Sequence, residues 1–420
     1  MTDPADLTAT DAARAIARGT LRPTDLLEAC HARAAAREPA LQAMTAYASE
    51  HVPRQTPGPG LLHGLPIGIK DVIDTTDFPT QYGSPIWRDY RPRADAACVA
   101  WARAAGAVVF GKTVTTEFAT RSPGPTTNPH DATRTPGGSS SGSAAGVAAG
   151  YFPFAYGTQT AGSVIRPAAY CGVVGYKPSF GTINRFGMKL MSESLDTVGV
   201  MARSVADCAL LTSAVSGLEL GDPDTRIEWA PRIGLCRSPM WDRRQPETEA
   251  LFDTVVAAVS RAGAVVRDFD LPAAYAPLEE AHTLVMNAES ARSLGWEMNT
   301  ARSELSDILR ERMEWGLAQP VSALAEARLV FQRLQDGFDA AMGDFDILLT
   351  PSAPGVAPVG LAWTGDASFN LIWTALHVPC ITVPAGSGPG GMPLGMQIVA
   401  RRGQDRLALQ AAAWVAAAIG

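Results

Sequence analysis

No apolar run in this chain approaches the roughly 20 residues that a membrane-spanning helix requires. The opening residues, MTDPADLTATD, are acidic and lack the apolar stretch of a secretory signal. These absences predict a soluble, cytoplasmic protein with no membrane partner. The six cysteines (Cys30, Cys98, Cys171, Cys208, Cys236 and Cys380) form no CxxC pair. Neither a zinc-binding pattern nor a disulfide scaffold is therefore indicated, and buried free thiols are expected. The six histidines (His31, His51, His63, His130, His282 and His377) contain no HExxH and no closely spaced pair, so no metal is implied and each is expected at the surface or the core edge. Positive charge is not in excess either: a net charge of −7 argues against nucleic acid as a partner. No interior stretch reads as a flexible linker, and no internal repeat is visible.

What is present is a chain of 420 residues, 46% of them hydrophobic, enough for one large core. One domain over residues 1–420 is expected, with a core of 60–230 and 343–420 carrying the site and an α/β and helical lobe at 231–342. Residues 8 to 36 read as two helices packed on the outside, with Thr8 or Thr10 and Thr24 as candidate caps. A strand-like run at 61–71 ends on Lys70 and Asp71. A helix at 95–105, stopped by Gly106, leads into a strand at 107–110. A loop from Arg121 to Gly138 follows, then irregular sequence through 172–181, and a helix from about Ser204. The alternation resumes with strands at 232–235 and 264–270 around a helix at 246–262. Residues 275–342 are largely helical, and strands at 346–351, 380–384 and 394–399 precede a helix from Asp405. Such interleaving predicts an α/β fold, an α/β/α sandwich around one large mixed sheet.

The chemistry-bearing stretch runs from Gly137 to Pro167, GGSSSGSAAGVAAGYFPFAYGTQTAGSVIRP. Closely spaced glycine and serine leave a bare main chain whose N–H groups can face a ligand. Ser139 and Ser163 are separated by enough chain for a helix and a strand, a layout that can bring both hydroxyls to one place. Thr160, Ala161, Gly162 and Ser163 lead into Val164-Ile165-Arg166, so their N–H groups are expected at a helix start, where they suit an oxyanion. Ser163 then lacks only a base.

Two other spellings are weakened by their context. Gly106 to Thr113, GAVVFGKT, matches a Walker A loop, but its middle residues are themselves the expected strand. Gly138-Ser139-Ser140-Ser141-Gly142 matches the GxSxG elbow of α/β-hydrolases, with Asp346 and His377 following in the order such enzymes use. The residues before it read as loop rather than strand, which makes it the lesser alternative.

Without a histidine placed to activate Ser163, a lysine remains. Lysine is a base only when neutral, and its ordinary pKa of about 10.4 must be lowered by burial or neighbouring positive charge. Lys70 ends an apolar segment where burial can do this; judged alone, it reads more readily as a lysine snorkelling to Asp71 or Asp74. GIKD at 68–71, GGSSSGSAA at 137–145, GTQTAGS at 157–163 and RPAAYCG at 166–172, in this order and spacing, resemble the amidase signature family of serine hydrolases over nearly the whole chain. The resemblance implies the amidase signature fold and an amidase working through an acyl-enzyme, with no cofactor. It implies Ser163 as nucleophile, Ser139 as a bridging serine on a cis peptide, Lys70 as base, and the N–H groups of Thr160, Ala161, Gly162 and Ser163 as the oxyanion hole. Ala161 stands where many members have glycine, and its N–H keeps its place if φ stays negative. Ser140 is expected to support the network.

Arg166 follows Ser163 by one helical step, and its fork can grip a substrate carboxylate. In this setting the text resembles the malonamidase-type branch, which hydrolyses small carboxylated amides. The alternative is that Arg166 is structural, tied to a carboxylate such as Asp196. The pocket would then take aryl amides or carbamates (urethanes), with Trp315, Phe369 and Trp373 as apolar walls. The family also includes amidotransferase subunits that need partner proteins; the chain is short for that role and shows no added partner-binding segment. A small-molecule amide or carbamate is the expected partner, with a homodimer left open.

Overall fold

Short, largely apolar runs form the strands of one mixed sheet, in a computed structural model that describes residues 3–47, 60–223, 225 and 229–420. Met1, Thr2 and His51 lie outside the described residues. The strands are β1 (Met44–Tyr47), β2 (Pro66–Lys70), β3 (Val108–Thr113), β4 (Phe154–Gln159), β5 (Val174–Lys177), β6 (Thr197–Ala202), β7 (Arg232–Leu235), β8 (Val265–Asp268), β9 (Ile347–Pro351), β10 (Cys380–Ser387) and β11 (Pro393–Val399). Among the described residues they make an 11-stranded sheet in the order β1-β3-β2-β4-β6-β5-β10-β11-β9-β7-β8. β2 pairs in parallel with β3 and β4, and β7 with β8 and β9. The remaining pairs are antiparallel.

Successive side chains of a strand point to opposite faces, and the central strands divide accordingly between two cores. Ile347, Leu349, Ile381 and Ile398 join one core, with helices that include Pro23–Leu41, Ser141–Ala149, Val205–Ser216 and Asp405–Ile419. Leu348, Cys380 and Val399 join the other, under helices Leu278–Ser293, Val321–Met342 and Ser368–Ala375. Helices thus cover both faces, the α/β/α sandwich expected from the alternation. β7 and β8, from the 231–342 segment, extend the same sheet through β9.

The differences from expectation have local causes. Thr8 caps the first helix by accepting from Asp11 N, but the second helix starts at Pro23, which suits a first helical position because it has no N–H to satisfy. Thr24 is therefore inside the helix. β5 replaces the irregular chain expected over 172–181, and β6 forms over residues 197–202, for which no element was expected. A side chain at Gly175 would lie 2.5 Å from Ala168 Cβ, so glycine there lets the helix Ile165–Cys171 rest directly on the sheet. The Walker-like lysine lies within β3: Lys112 is buried, 3.2 Å from Asp71, and donates to Ile73 O. All six cysteines are buried and free. Among the described residues no helix is long and apolar enough to cross a membrane.

Candidate active site

β2 delivers Lys70 to the centre of the molecule. The strand is buried along its whole length between β3 and β4, and the Lys70 side chain is 0% exposed. Its Nζ donates to Ser139 Oγ and to Thr158 Oγ1, both at 2.7 Å. Asp71 is engaged by Lys112, and Asp74 accepts from Tyr82 Oη, so Lys70 does not snorkel to either. Burial pulls its pKa down to about 7, against a smaller opposing pull from the charge of Asp196.

The glycine-serine loop brings Ser139 to this amine. Gly137 has φ +82°, and a Cβ there would meet Pro167 Cα at 2.8 Å, so both conformation and space require glycine. The Gly138–Ser139 peptide is cis. Its carbonyl, Gly138 O, accepts from Arg166 Nη2 at 2.6 Å, and Ser141 Oγ donates to Gly137 O. Ser140 Oγ accepts from Thr158 N and donates to Thr158 O, which steadies the residue that shares Lys70 with Ser139.

The second cluster turns between β4 and the helix Ile165–Cys171. Gln159 Oε1 accepts from Val164 N and Ile165 N, capping that helix from within its own turn. Three carbonyls of the turn are occupied: Thr160 O by His282 Nε2, Ala161 O by Thr374 Oγ1, and Gly162 O by Arg166 N. The N–H groups of Thr160, Ala161, Gly162 and Ser163 donate no hydrogen bond among the described residues. Ala161 is absent from the residues with positive φ. Asp196 holds the start of the turn by accepting from Thr160 Oγ1, and it also accepts from Met191 N and Ser192 N. Burial raises the pKa of Asp196 despite these donors.

Ser163 lies on the wall of a cavity of about 120 Å³ whose lining also includes Thr160, Ala161 and Arg166. Its hydroxyl makes no hydrogen bond among the described residues, to Ser139 or to any other group, so the structure joins Lys70 to Ser139 but not Ser139 to Ser163. Arg166 is buried and lines the cavity; its Nε has no partner, and its Nη2 is also 3.2 Å from Thr364 Oγ1. Asp196 is thus not its partner.

The apolar lining comes from Met191, Met286 and Trp363, not from the expected aromatics. The helix Ser368–Ala375 turns Phe369 and Trp373 inward, where Trp373 packs 6.2 Å from Phe338, and Trp315 is exposed. The α/β-hydrolase alternative does not assemble. Ser140 is occupied by Thr158, Asp346 pairs with Arg232, and His377 stacks on Phe180 with its Nε2 on Ser194 O.

His282, expected at a surface or core edge, is instead buried against the serine turn. Burial holds its pKa at about 4, so the ring is neutral and Nε2–H donates to the Thr160 carbonyl. No spacing signal connects it to Thr160; the contact arises from the packing of helix Leu278–Ser293. Replacing His282 with alanine strips a buried carbonyl of its donor and is expected to cost about 1–3 kcal/mol of stability, read by urea unfolding.

The chain belongs to the Amidase family, whose model matches residues 25–409. It is 33% identical to a glutamyl-tRNA(Gln) amidotransferase subunit from Chloroflexus aggregans, with 96% of this chain and 94% of that protein covered. It is similar to a crystal structure of an amidase, with a TM-score of 0.89 and 28% identity over 99% of this chain and 100% of that one. It is also similar to the native peptide amidase from Stenotrophomonas maltophilia, with a TM-score of 0.82 and 30% identity over 99% and 97%.

Proposed function

We propose that this chain hydrolyses the C–N bond of a small carboxylated amide through an acyl-enzyme on Ser163, in the manner of the malonamidase-type branch. The observation that carries the proposal is Lys70: a fully buried amine with a pKa near 7, hydrogen-bonded to two hydroxyls and to no carboxylate. Neutral Lys70 takes the proton of Ser139, and Ser139 takes that of Ser163 as the Ser163 oxygen bonds to the carbonyl carbon. This second link requires Ser163 Oγ to close on Ser139 Oγ, a tightening common when substrate is in place. The unpaired N–H groups of Thr160 to Ser163 receive the oxyanion. Collapse of the tetrahedral centre breaks the C–N bond, the relay returns its proton to the leaving nitrogen, and water then releases the acid.

Arg166 supplies the carboxylate preference in this proposal, since its Nε is buried without a partner beside the cavity. The same arginine holds the carbonyl before Ser139, so Arg166→Ala is expected to slow every substrate. Malonamate-like acids are expected to lose about tenfold or more kcat/KM beyond the loss on uncharged aryl amides and carbamates. Equal losses on both would refute the clamp.

Met191, Met286 and Trp363 favour a second reading, hydrolysis of an aryl amide or carbamate with an apolar acyl group. The same substrate panel on the wild-type chain separates the two. Similarity to amidotransferase subunits favours a third, which ammonia release by the purified chain alone tests. Strict dependence on other subunits would support that role. The solution mass of the purified chain tests the homodimer.

A further inference from the structure

Three guanidinium groups and one carboxylate line the cavity beside Ser163: Arg121, Arg166, Arg312 and Asp366. Arg302, Arg310 and Arg328, from the same helical region as Arg312, are each paired with an acidic side chain. The three cavity arginines have no ion-pair partner among the described residues. Asp366 accepts from Ser368 N at 2.8 Å, and its charge acts on Arg166. Arg166 is anchored to Gly138 O, and Arg312 donates to Asn287 Oδ1 at 2.6 Å. Arg121 is exposed and bonded to nothing among the described residues.

The segments that carry Arg121 and Arg312 are tied together. Glu117 accepts from both the N–H and the hydroxyl of Ser306, the residue that precedes the helix Asp307–Ala318 bearing Arg312. Between Glu117 and Arg121 the chain makes a fixed turn. Phe118 (φ 45°) and Ala119 (φ 58°) occupy the left-handed region, an uncommon state for two successive side-chain-bearing residues. Phe118 N donates to Tyr82 O at 2.7 Å, and Thr116 Oγ1 to Thr120 O at 2.9 Å. Arg121 thus leaves a held backbone with a free side chain. Its charge works against that of both Arg166 and Arg312. Like charges gathered without counter-charges are relieved by an anion in the cavity.

We infer that Arg121 and Arg312 form a second anion position, separate from Arg166, and that the substrate class is an amide carrying two anionic groups. One carboxylate cannot neutralise three arginines of which Asp366 offsets one. The inference rests on the reading that amide hydrolysis takes place at Ser163.

The test compares kcat/KM for 3-carbamoylpentanedioate, a dianion, and 3-carbamoylpropanoate, a monoanion, in the wild-type chain and in Arg121→Gln and Arg312→Gln. The dianion-to-monoanion ratio is expected to fall about tenfold in each variant. An unchanged ratio overturns the inference. If neither amide is hydrolysed, thermal unfolding with pentanedioate or butanoate decides. A larger rise in Tm with the diacid that disappears in Arg121→Gln supports the second position, whereas equal shifts, or none, overturn it. Ser163→Ala reports separately on the hydrolase reading, because it removes turnover without touching either anion position. Arg121 is exposed, so its substitution removes no core contact.

Discussion

Replacing Ser163 with alanine is expected to lower kcat by about 10⁴ to 10⁶-fold, the range seen when one member of a serine-hydrolase catalytic set is removed, while stability changes by about 0.5 kcal/mol or less. The two halves of this expectation come from one observation. Ser163 lines the cavity and its hydroxyl makes no hydrogen bond among the described residues, so deleting it costs the native state almost nothing. Ser140→Ala should behave in the opposite way, because that hydroxyl straps Thr158 on both its N–H and its carbonyl. Its loss is expected to cost about 1–3 kcal/mol, with a smaller fall in rate transmitted through Thr158 to Lys70. Ammonia or amine release and urea unfolding, measured on both variants, check the contrast. A Ser163→Ala protein as active as Ser140→Ala would end the nucleophile assignment.

Much of this architecture was legible along the chain because its determinants are local. Lys70 ends an apolar run, and a run buried on both faces becomes an inner strand whose last side chain has nowhere to go but the interior. The Gly137–Pro167 stretch showed its helix and strand through composition and its turn through Thr160 to Ser163. The strand β5 was obscured because glycine, the usual mark of irregular chain, here answers to close packing under the helix Ile165–Cys171. Contacts made across long sequence separations left no local mark. His282 on Thr160 O, Asp196 on Thr160 Oγ1 and Arg166 on Gly138 O each join residues from different elements. The cavity wall shows the same limit: sequence order suggested Phe369 and Trp373, but helix phase sends both to the core and leaves Trp363 at the cavity.

The pH dependence should follow Lys70. With its pKa drawn from the ordinary 10.5 to about 7, the amine is largely protonated below pH 7 and unable to accept from Ser139. kcat/KM is then expected to rise with pH, changing about tenfold per unit well below a midpoint near 7 and levelling above it. His282, the histidine bonded to the serine turn, is held at about 4 and cannot supply this limb. Asp196→Asn gives the direction of the electrostatic contribution. Its negative charge favours the ammonium, so removing it should move the midpoint to lower pH, while an amide nitrogen in place of Oδ2 cannot accept from Met191 N and Ser192 N, which loosens the support of the turn and lowers the plateau. Stability carries the same signature. A lysine with a depressed folded pKa penalises the folded state fully below about 7, where both states are protonated, and the penalty is relieved as pH rises from about 7 toward 10.5. Lys70→Met should therefore lose both turnover and the part of the stability rise that falls in that window. Retention of the kinetic limb near pH 7 in Lys70→Met would mean that another group provides the base.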